Sequence, residues 1–231
     1  MATYNGEAYL PEQLSSILSE LKEDDELVVS DDGSTDATCR IIESLRDPRI
    51  RLLHNKGRHG VNGNFENAIK NAKGDYIFLS DQDDVWLKGK RDACVKALAT
   101  ADCVVHDCIV VDKDKNITEE SFFRMRNSGP GFWKNLYRNS YLGCCMAFRR
   151  GILETALPYP EDLPVFQEGW IASLADIKGS VEFIPFKGIL FRRHDSNSSA
   201  TAGKSGMGLR RQIGYRLKFL GQIIKRLIKI G

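Results

Sequence analysis

The chain has 231 residues, 42% of them hydrophobic and 28% charged, so it is long enough for one large domain or two small ones with a buried core. Its net charge of +2 hides an acidic body, because eight basic and no acidic residues from Lys204 onward leave 25 basic against 31 acidic residues before them. This balance excludes a nucleic-acid surface spread over a domain, and no run of about 18 apolar residues is present that could span a bilayer.

Strand-like and helix-like segments alternate along the first half of the chain. Apolar, β-branched runs predict strands at 26–30, 50–55, 75–80 and 102–111. Apolar residues at helical spacing predict helices over 9–21 and 64–74. Strands that alternate with helices of this length indicate βαβ units, and hence an α/β fold with a mostly parallel sheet and helices on both faces.

The second half is less regular. The pattern predicts a strand at 144–150 that leads into a helix from Gly151, a helix over 168–179 and a strand pair within 181–194. Residues 129–143 are aromatic and rich in turn formers, which is typical of a mobile substrate loop. The polar stretch 195–206 reads as a linker.

The six cysteines have neither CxxC spacing nor histidines at zinc-ligand intervals. Several lie in apolar runs, where a free cysteine behaves as a small hydrophobe. We therefore expect reduced core thiols, as in a cytosolic protein.

Two acidic clusters, "SDDGS" and "SDQDD", follow predicted strands. Ligands of parallel α/β sheets bind at the carboxyl ends of the strands, so both clusters are expected to face one cleft. Asp81, Asp83 and Asp84 lie within four positions, and like charges so close raise one another's pKa unless positive charge compensates them. The compensating group is a side chain or a metal, unless the segment is simply a solvated acidic loop.

The motifs "MATYNGEAYL", "VVSDDGSTDAT" and "FLSDQDDVW" occur in this order at a spacing that resembles glycosyltransferase family 2. "SDQDDVW" and the later "FRRHDSN" look like its rhamnosyltransferase-like branch, whose enzymes build bacterial surface polysaccharides such as O-antigen and capsule. The resemblance covers roughly residues 1–198 and implies a Rossmann-like GT-A fold. It also implies inverting transfer of a sugar from a UDP- or dTDP-sugar to a lipid-linked or surface polysaccharide acceptor.

The resemblance further implies a divalent cation, Mn²⁺ or Mg²⁺, that bridges the protein to the donor diphosphate. Asp81 and Asp83 match the family's D-x-D motif, and oxygen ligands suit such hard cations. His194 is expected to complete the metal site, and Arg192 and Arg193 to neutralise diphosphate.

The family's nucleotide-sugar site maps onto residues of the first loop, the acidic clusters and the glycine-rich segment "NKGRHGVNGNF". The candidates are Thr3, Tyr4, Asn5, Glu7, Asp31, Asp32, Asn55, Asn64, Asp81 and Gln82. We favour Asp32 over Asp31 for the imide N–H of uracil or thymine, and the alternative for both is a turn that caps the next helix. Arg58 or His59 either touches phosphate or lies in an exposed loop.

By the same resemblance, one carboxylate acts as general base on the acceptor hydroxyl. "FQEGWIASL" matches best and assigns this role to Glu168, although Gln167 and Gly169 depart from the family's pattern. A purely structural alternative is that Glu168 stabilises the N-terminus of its helix. Glu161 and Asp162 in "PYPEDLP" are the rival bases.

The last segment is a basic amphipathic helix. Leu209, Ile213, Leu217, Leu220, Ile224 and Leu227 are spaced by threes and fours, with Arg211, Lys218, Lys225 and Lys229 on the other side. Such a helix binds an anionic membrane surface, which fits a peripheral enzyme on the inner face of the bacterial plasma membrane and a lipid-linked acceptor. The alternative is a helix packed on the domain or on another subunit.

These patterns divide the chain into a GT-A domain at 1–198, a linker at 199–206 and the amphipathic helix at 207–231. Relatives carry an apolar strand just before "ATYNG", so we expect a central strand upstream of Met1 to be missing, with exposed ladder groups on its neighbours. Two other functions are alternatives. A sugar-1-phosphate nucleotidyltransferase would need a glycine-rich loop with basic residues, which this sequence lacks. The second alternative is a degenerate relative that binds a nucleotide sugar without turnover.

Overall fold

The computed structural model describes residues 1–194 and 208–230. The predicted linker at 199–206 and the two end residues of the predicted helix 207–231 lie outside these ranges. The division into domains therefore stays a prediction.

The described residues form nine strands and nine α-helices. The strands are β1 (Ala2–Thr3), β2 (Leu27–Asp31), β3 (Ile50–His54), β4 (Tyr76–Phe78), β5 (Val85–Trp86), β6 (Cys103–Val111), β7 (Ile117–Glu119), β8 (Met146–Arg149) and β9 (Val181–Arg192). The helices are α1 (Leu10–Glu20), α2 (Thr38–Ser44), α3 (Val61–Asn71), α4 (Lys90–Ala97), α5 (Phe122–Arg126), α6 (Phe132–Tyr137), α7 (Ile152–Ala156), α8 (Gln167–Lys178) and α9 (Leu209–Ile230).

The first sheet is parallel, in the order β1-β2-β3. Val29 at the centre of β2 pairs with Leu52 of β3, and Thr3 of β1 pairs with Asp31 at the carboxyl end of β2. Helix α1 buries Leu10 and Leu14, as its apolar spacing predicts. The alternation of strands and helices that the sequence predicts from α1 to β3 is thus the one observed. It brings the first acidic cluster, "SDDGS", to the edge of the sheet where the strands end.

The second sheet is mixed, in the order β4-β8-β6-β9-β5, with β7 on β6. Its β6 and β9 run parallel, and the other pairs are antiparallel. The strand pair predicted within 181–194 is wrong: β9 is one strand of 12 residues. Pro185 falls where the register shifts between His106 and Asp107, so a ladder irregularity accommodates its missing N–H and no turn is needed.

A groove of about 560 Å³ separates β2 from β4. Its lining includes Leu27, Ile69 and Ile77, and in the described residues no strand lies between β2 and β4. Beside it, the amino group of Met1 donates to the Val28 carbonyl at 2.8 Å, and β1 is only two residues long.

Helix α9 packs against the domain through Phe219 and Ile223, which are both buried. Among the helices in 1–194 and 208–230, none combines the length and apolar character that crossing a membrane requires. All six cysteines are free, and five of them are buried.

Candidate active site

The acidic turn, residues 81–84, follows β4 and carries three carboxylates. Asp81 and Asp83 are partly exposed, whereas Asp84 is buried. Burial and the charge of Asp83 raise the pKa of Asp81 to about 7, and the same causes raise the pKa of Asp84 well above its usual value. The like charges therefore repel within the turn, and nearby positive charge favours their ionised forms.

His194 lies beside the acidic turn. Its Nε2 is 3.0 Å from Asp83 Oδ2, and its ring stacks on Tyr9 with the centroids 4.6 Å apart. The imidazole can hydrogen-bond to the carboxylate or offer the same nitrogen to a metal. The structure thus places Asp83 and His194, two of the predicted metal ligands, in contact, with Asp81 in the same turn.

Arg192 fastens β9 to the acidic turn and to α1. Its Nη2 donates to Glu12 Oε2 at 2.6 Å, its Nε to the Asp83 carbonyl at 2.9 Å and its Nη1 to the Lys113 carbonyl at 3.1 Å. All three guanidinium nitrogens are thus engaged within the protein and the residue is buried, and the neutralisation of diphosphate by Arg192 stays a prediction.

Lys90 places a buried ammonium group behind the acidic turn. Its Nζ donates to the Cys144 carbonyl at 2.8 Å and lies 3.9 Å from the centre of the Trp86 ring. Burial lowers its pKa, while the charge of Asp84 acts in the opposite direction. Lys90 therefore supplies part of the positive charge that compensates the acidic turn. Its hydrogen bond also holds the short 3₁₀ turn at Gly143–Cys145.

The donor atoms of the acidic turn fit a divalent cation. Ligand atoms of Asp81, Asp84 and Cys144 lie within 4.8 Å of one another, and Asp84 Oδ2 is buried without a hydrogen-bond partner among the described residues. Burial raises the pKa of the Cys144 thiol well above its usual value, which keeps it protonated and a poor metal ligand. Carboxylate oxygens are the ligands that Mn²⁺ and Mg²⁺ prefer, and a cation would offset the repulsion between them.

Asp31 organises the turn after β2. Its two carboxylate oxygens accept hydrogen bonds from Thr3 Oγ1 at 3.1 Å, from the backbone N–H groups of Gly33 and Ser34 and from Ser34 Oγ. Burial opposes its ionisation, but these bonds outweigh burial and hold the pKa of Asp31 below its usual value. Asp31 therefore makes the hydrogen bonds expected of the alternative role, in which it forms the turn before the next helix.

Asp32 faces the glycine-rich segment instead. Its Oδ1 accepts from Asn55 Nδ2 at 2.7 Å and lies 3.0 Å from His59 Nδ1, and its Oδ2 accepts from the Gly60 N–H at 2.7 Å. The carboxylate is thus surrounded by donors at the carboxyl end of β2. A nucleobase N–H would take the place of one of these donors.

The first loop is tied to both acidic clusters. Asn5 Oδ1 accepts from the Thr35 N–H and Glu7 Oε2 from the Ala37 N–H, both at 2.8 Å, which fixes the loop before α2. Asn64 Nδ2 donates to the Thr3 carbonyl at 3.0 Å. These residues therefore shape the site through backbone contacts.

Gln82 connects the acidic turn to the same loop. Its Oε1 accepts from the Tyr4 N–H at 2.9 Å, and its Nε2 donates to the Tyr4 carbonyl at 3.1 Å. A Cβ on Gly6 would lie 2.4 Å from Gln82 Oε1, so only glycine allows this approach. The Tyr4 ring, by contrast, is 57% exposed and available to a ligand.

Arg58 links the glycine-rich segment to the second half of the chain. Its Nη1 donates to the Pro160 carbonyl at 3.0 Å, and its Nη2 pairs with Glu66. His59 contacts Asp32, so Arg58 and His59 both interact with other groups of the protein.

Glu168 lies in the first turn of α8 and is 7% exposed. Burial raises its pKa to about 8, and the charge of Asp81 contributes in the same direction, so the two carboxylates interact electrostatically. A Cβ on Gly143 would lie 3.5 Å from Glu168 Oε2, an ordinary contact distance, so Gly143 packs directly beside the carboxylate. The rivals Glu161 and Asp162 are exposed, and Asp162 pairs with Lys218 of α9 at 3.1 Å.

Sequence reasoning missed Lys90, Tyr9, Glu12 and Gln13. The amide of Gln13 donates to Ser80 Oγ at 3.0 Å and to the Asp81 carbonyl at 2.8 Å, which holds the start of the acidic turn. Its place on the apolar face of α1 was the available signal, because a polar side chain buried there needs a partner. The position of Lys90 in the sequence does not distinguish it from the other basic residues nearby.

The family model described as "Glycosyl transferase family 2" matches residues 1–157. The chain is 36% identical over 149 residues to a protein named dTDP-rhamnosyl transferase RfbG from Shigella flexneri, covering 57% of this chain and 51% of that protein. It is 37% identical over 92 residues to UDP-Glc:alpha-D-GlcNAc-diphosphoundecaprenol beta-1,3-glucosyltransferase WfgD from Escherichia coli, covering 40% of this chain and 36% of that protein. The chain thus spans about half the length of RfbG and about a third of WfgD.

Among solved structures, the chain resembles the mannosyltransferase PcManGT from Pyrobaculum calidifontis in complex with GDP-Man and Mn²⁺. The TM-score is 0.62 at 21% identity, over 100% of this chain and 63% of that one. At this identity the likeness concerns the fold, and it confirms the predicted α/β class.

Proposed function

Because the chain belongs to glycosyl transferase family 2, we propose that it transfers a sugar, with inversion, from a UDP- or dTDP-sugar to a lipid-linked or surface polysaccharide acceptor. The observation that carries the proposal concerns Glu168 and Asp81: a buried carboxylate with a raised pKa interacts electrostatically with an acidic turn that fits a divalent cation.

The donor is proposed to lie along the carboxyl ends of β1 and β2. Asp32 is the more exposed aspartate of its pair and stands at the end of β2, where a carboxylate suits the imide N–H of uracil or thymine. RfbG is named for a dTDP-sugar and WfgD for UDP-Glc, which supports a pyrimidine nucleotide. Tyr4 contributes its exposed ring, and Thr3, Asn5, Glu7, Asn55 and Asn64 hold the loops around the nucleotide.

Asp83 and His194, which are in contact, and Asp81, whose ligand atom lies near that of Asp84, would hold the divalent cation. When bound, Mn²⁺ or Mg²⁺ stabilises the negative charge that develops on the leaving diphosphate. The Mn²⁺ in PcManGT supports this cofactor class. Arg192 holds the acidic turn through the Asp83 carbonyl, and Lys90 supplies a buried positive charge that interacts with Asp84.

Glu168 is proposed to take the proton from the acceptor hydroxyl as its oxygen attacks the anomeric carbon opposite the diphosphate. A carboxylate whose pKa is raised by burial is a stronger base than one in water, and proton transfer is most effective when that pKa lies near the working pH. The position of Glu168 in the first turn of α8 also fixes its direction, because α8 is buried along most of its length.

The acceptor is proposed to be a lipid-linked glycan at the inner face of the plasma membrane. WfgD is named for a diphosphoundecaprenol-linked acceptor, and the basic helix α9 suits an anionic surface. The enzyme would then act as a peripheral membrane protein in the synthesis of a surface polysaccharide.

Calorimetric titration of UDP and dTDP, with and without Mn²⁺, tests the donor site in wild type and in Asp83→Ala. We expect metal-dependent binding of one nucleotide in the wild type and a loss of at least about tenfold in Asp83→Ala, because the variant lacks a ligand of the cation and the partner of His194. Asp24→Ala, which changes an exposed aspartate before the amino end of β2, is the matched control and should bind as wild type does.

Absence of binding to either nucleotide in the folded chain would contradict the proposal. Binding without transfer to any polyprenyl-linked acceptor would instead favour the degenerate relative, for which the departures at Gln167 and Gly169 are the supporting feature.

A further inference from the structure

We propose that α6 and α9 together form a membrane-binding surface that recognises anionic lipid and lies next to the candidate base. Its apolar part, which we name the α6–α9 surface, consists of Trp133, Tyr137, Ile213, Leu217, Ile224 and Ile228. The inference rests on the proposed function, because a lipid-linked acceptor gives such a surface its purpose.

The apolar residues of α9 divide into two neighbouring sectors. Phe219 and Ile223 are buried against the domain. Ile213, Leu217, Ile224 and Ile228, spaced by four, seven and four residues, lie on one helical face and are between 46% and 76% exposed. Packing on the domain therefore leaves a continuous apolar stripe in contact with water, which is uncommon for an isolated soluble domain.

Helix α6 extends this stripe with two exposed aromatic rings. Trp133 and Tyr137 are four residues apart on the same face of α6 and are 70% and 74% exposed. Arg216 joins the two helices, because its Nε donates to the Leu136 carbonyl at 3.1 Å and its guanidinium lies 5.0 Å from the centre of the Tyr137 ring. Trp and Tyr are the residues that prefer the membrane interface, where an apolar ring and a polar edge are both accommodated.

The charge on α9 selects an anionic partner. Its described residues include seven basic and no acidic side chains. Arg216 and Arg226 bind carbonyl groups of the domain, whereas Arg211, Lys225 and Lys229 are exposed beyond the apolar stripe. An apolar stripe bordered by cations matches the acyl chains and headgroups of an anionic leaflet.

The surface borders the catalytic end of α8. The Trp170 ring of α8 contacts Phe219 of α9, with the centroids 6.3 Å apart. Burial raises the pKa of Tyr215 of α9, and the charge of Glu168 contributes to this shift, so the base and the helix are close. A membrane bound at the α6–α9 surface would therefore present a lipid-linked glycan beside Glu168 rather than beside the nucleotide loops.

Trp133 provides a direct readout of the proposal. The chain has three tryptophans, and Trp86 and Trp170 are buried, so vesicle-induced changes in fluorescence report on Trp133. We expect a blue shift and quenching by brominated lipid with vesicles of phosphatidylcholine and phosphatidylglycerol. Vesicles of phosphatidylcholine alone should bind weakly, and added salt should reduce binding to the anionic vesicles.

The decisive variants change exposed residues, so the core is not disturbed. Ile224→Asp should weaken co-sedimentation with the anionic vesicles by about tenfold, because it removes half-exposed apolar surface and adds a repelled charge. Ile117→Asp, which changes a similarly exposed isoleucine on β7, is the matched control and should bind as wild type does.

Equal vesicle binding by Ile224→Asp and wild type would overturn the inference. So would a lipid-free dimer, detected by sedimentation velocity, that Ile224→Asp dissociates, because the surface would then join two copies of the chain. Calorimetric binding of UDP or dTDP needs no membrane, so a wild-type chain that binds nucleotide but no anionic vesicles refutes only this inference. A wild-type chain that binds anionic vesicles but neither nucleotide refutes only the proposed donor site.

Discussion

Replacing Glu168 with glutamine should lower activity and raise stability at the same time. The carboxylate is 7% exposed, and no salt bridge within the described residues compensates its charge. A residue that serves only packing would not combine these two effects. The substitution keeps the shape of the side chain and removes its ionisation.

The magnitude of the stability effect follows from the pKa of Glu168. Folding raises it from 4.5 to about 8, so the protonated form is the one that the folded state favours. Stability from this group is fully present below pH 4.5 and is lost as pH rises to 8. At pH 7 the loss amounts to about 3 kcal/mol, taking about 1.4 kcal/mol per pKa unit, and Glu168→Gln does not suffer it.

Urea denaturation of wild type and Glu168→Gln at several pH values between 4 and 8 measures this difference. A chelator should be present, because a cation bound near Asp81 would change the charge that Glu168 experiences. The exchange of carboxyl for amide adds an offset that does not depend on pH. The test is therefore the growth of the difference with pH, and the exposed Glu154→Gln serves as control.

Sugar transfer by Glu168→Gln should fall by about 10²- to 10⁴-fold, the usual contribution of a general base. The wild-type rate should rise with pH as Glu168 loses its proton. Stability curves that stay parallel over the whole pH range would refute the buried, uncompensated carboxylate. Near-normal transfer by the variant would refute its role as base and point to Glu161 or Asp162.

Two further predictions concern the support of the site. Lys90→Met should lower the free energy of unfolding measured in urea by about 2 kcal/mol, because it leaves the Cys144 carbonyl without its donor and the acidic turn without a buried cation. Lys88→Met, which changes an exposed lysine, is the control. Equal stability of the two variants would contradict the prediction. A valine-rich extension of about five residues before Met1 should enter the groove between β2 and β4 and raise the urea midpoint and m value, whereas a glycine-serine extension of equal length should not. An equal effect of the two extensions would show that no strand forms there.

The alternation of strands and helices could be predicted because it depends on local periodicity. The apolar spacing in α1 indicates which face of the helix is buried, and the β-branched run of β2 indicates a strand that is buried on both faces, before any tertiary contact is known. The continuity of β9 could not be predicted in this way. Pro185 and Gly188 resemble turn residues in the sequence, and only the long partner β6 makes one strand of the segment.

The same division applies to the candidate site. Asp83 and Glu168 were predicted from short motifs; the structure shows Asp83 in contact with His194 and Glu168 buried within reach of the charge of Asp81, while their functional roles stay predictions. The internal role of Arg192 was not identifiable, because its partners Glu12 and Lys113 are distant in sequence. Motifs report which residues are present, whereas the partner that engages each one depends on the fold.

The protein supplies only part of the positive charge that the acidic turn needs, and we propose that a ligand supplies the rest. Lys90 lies buried behind the turn and His194 stands at its edge, yet burial and the charge of Asp83 still raise the pKa of Asp81 to about 7. Side chains therefore compensate the cluster enough for it to fold, but not enough to keep it fully ionised. Under the proposed function a divalent cation with its nucleotide would supply the remainder, so we expect the binding of nucleotide and metal to be strongly coupled at this site.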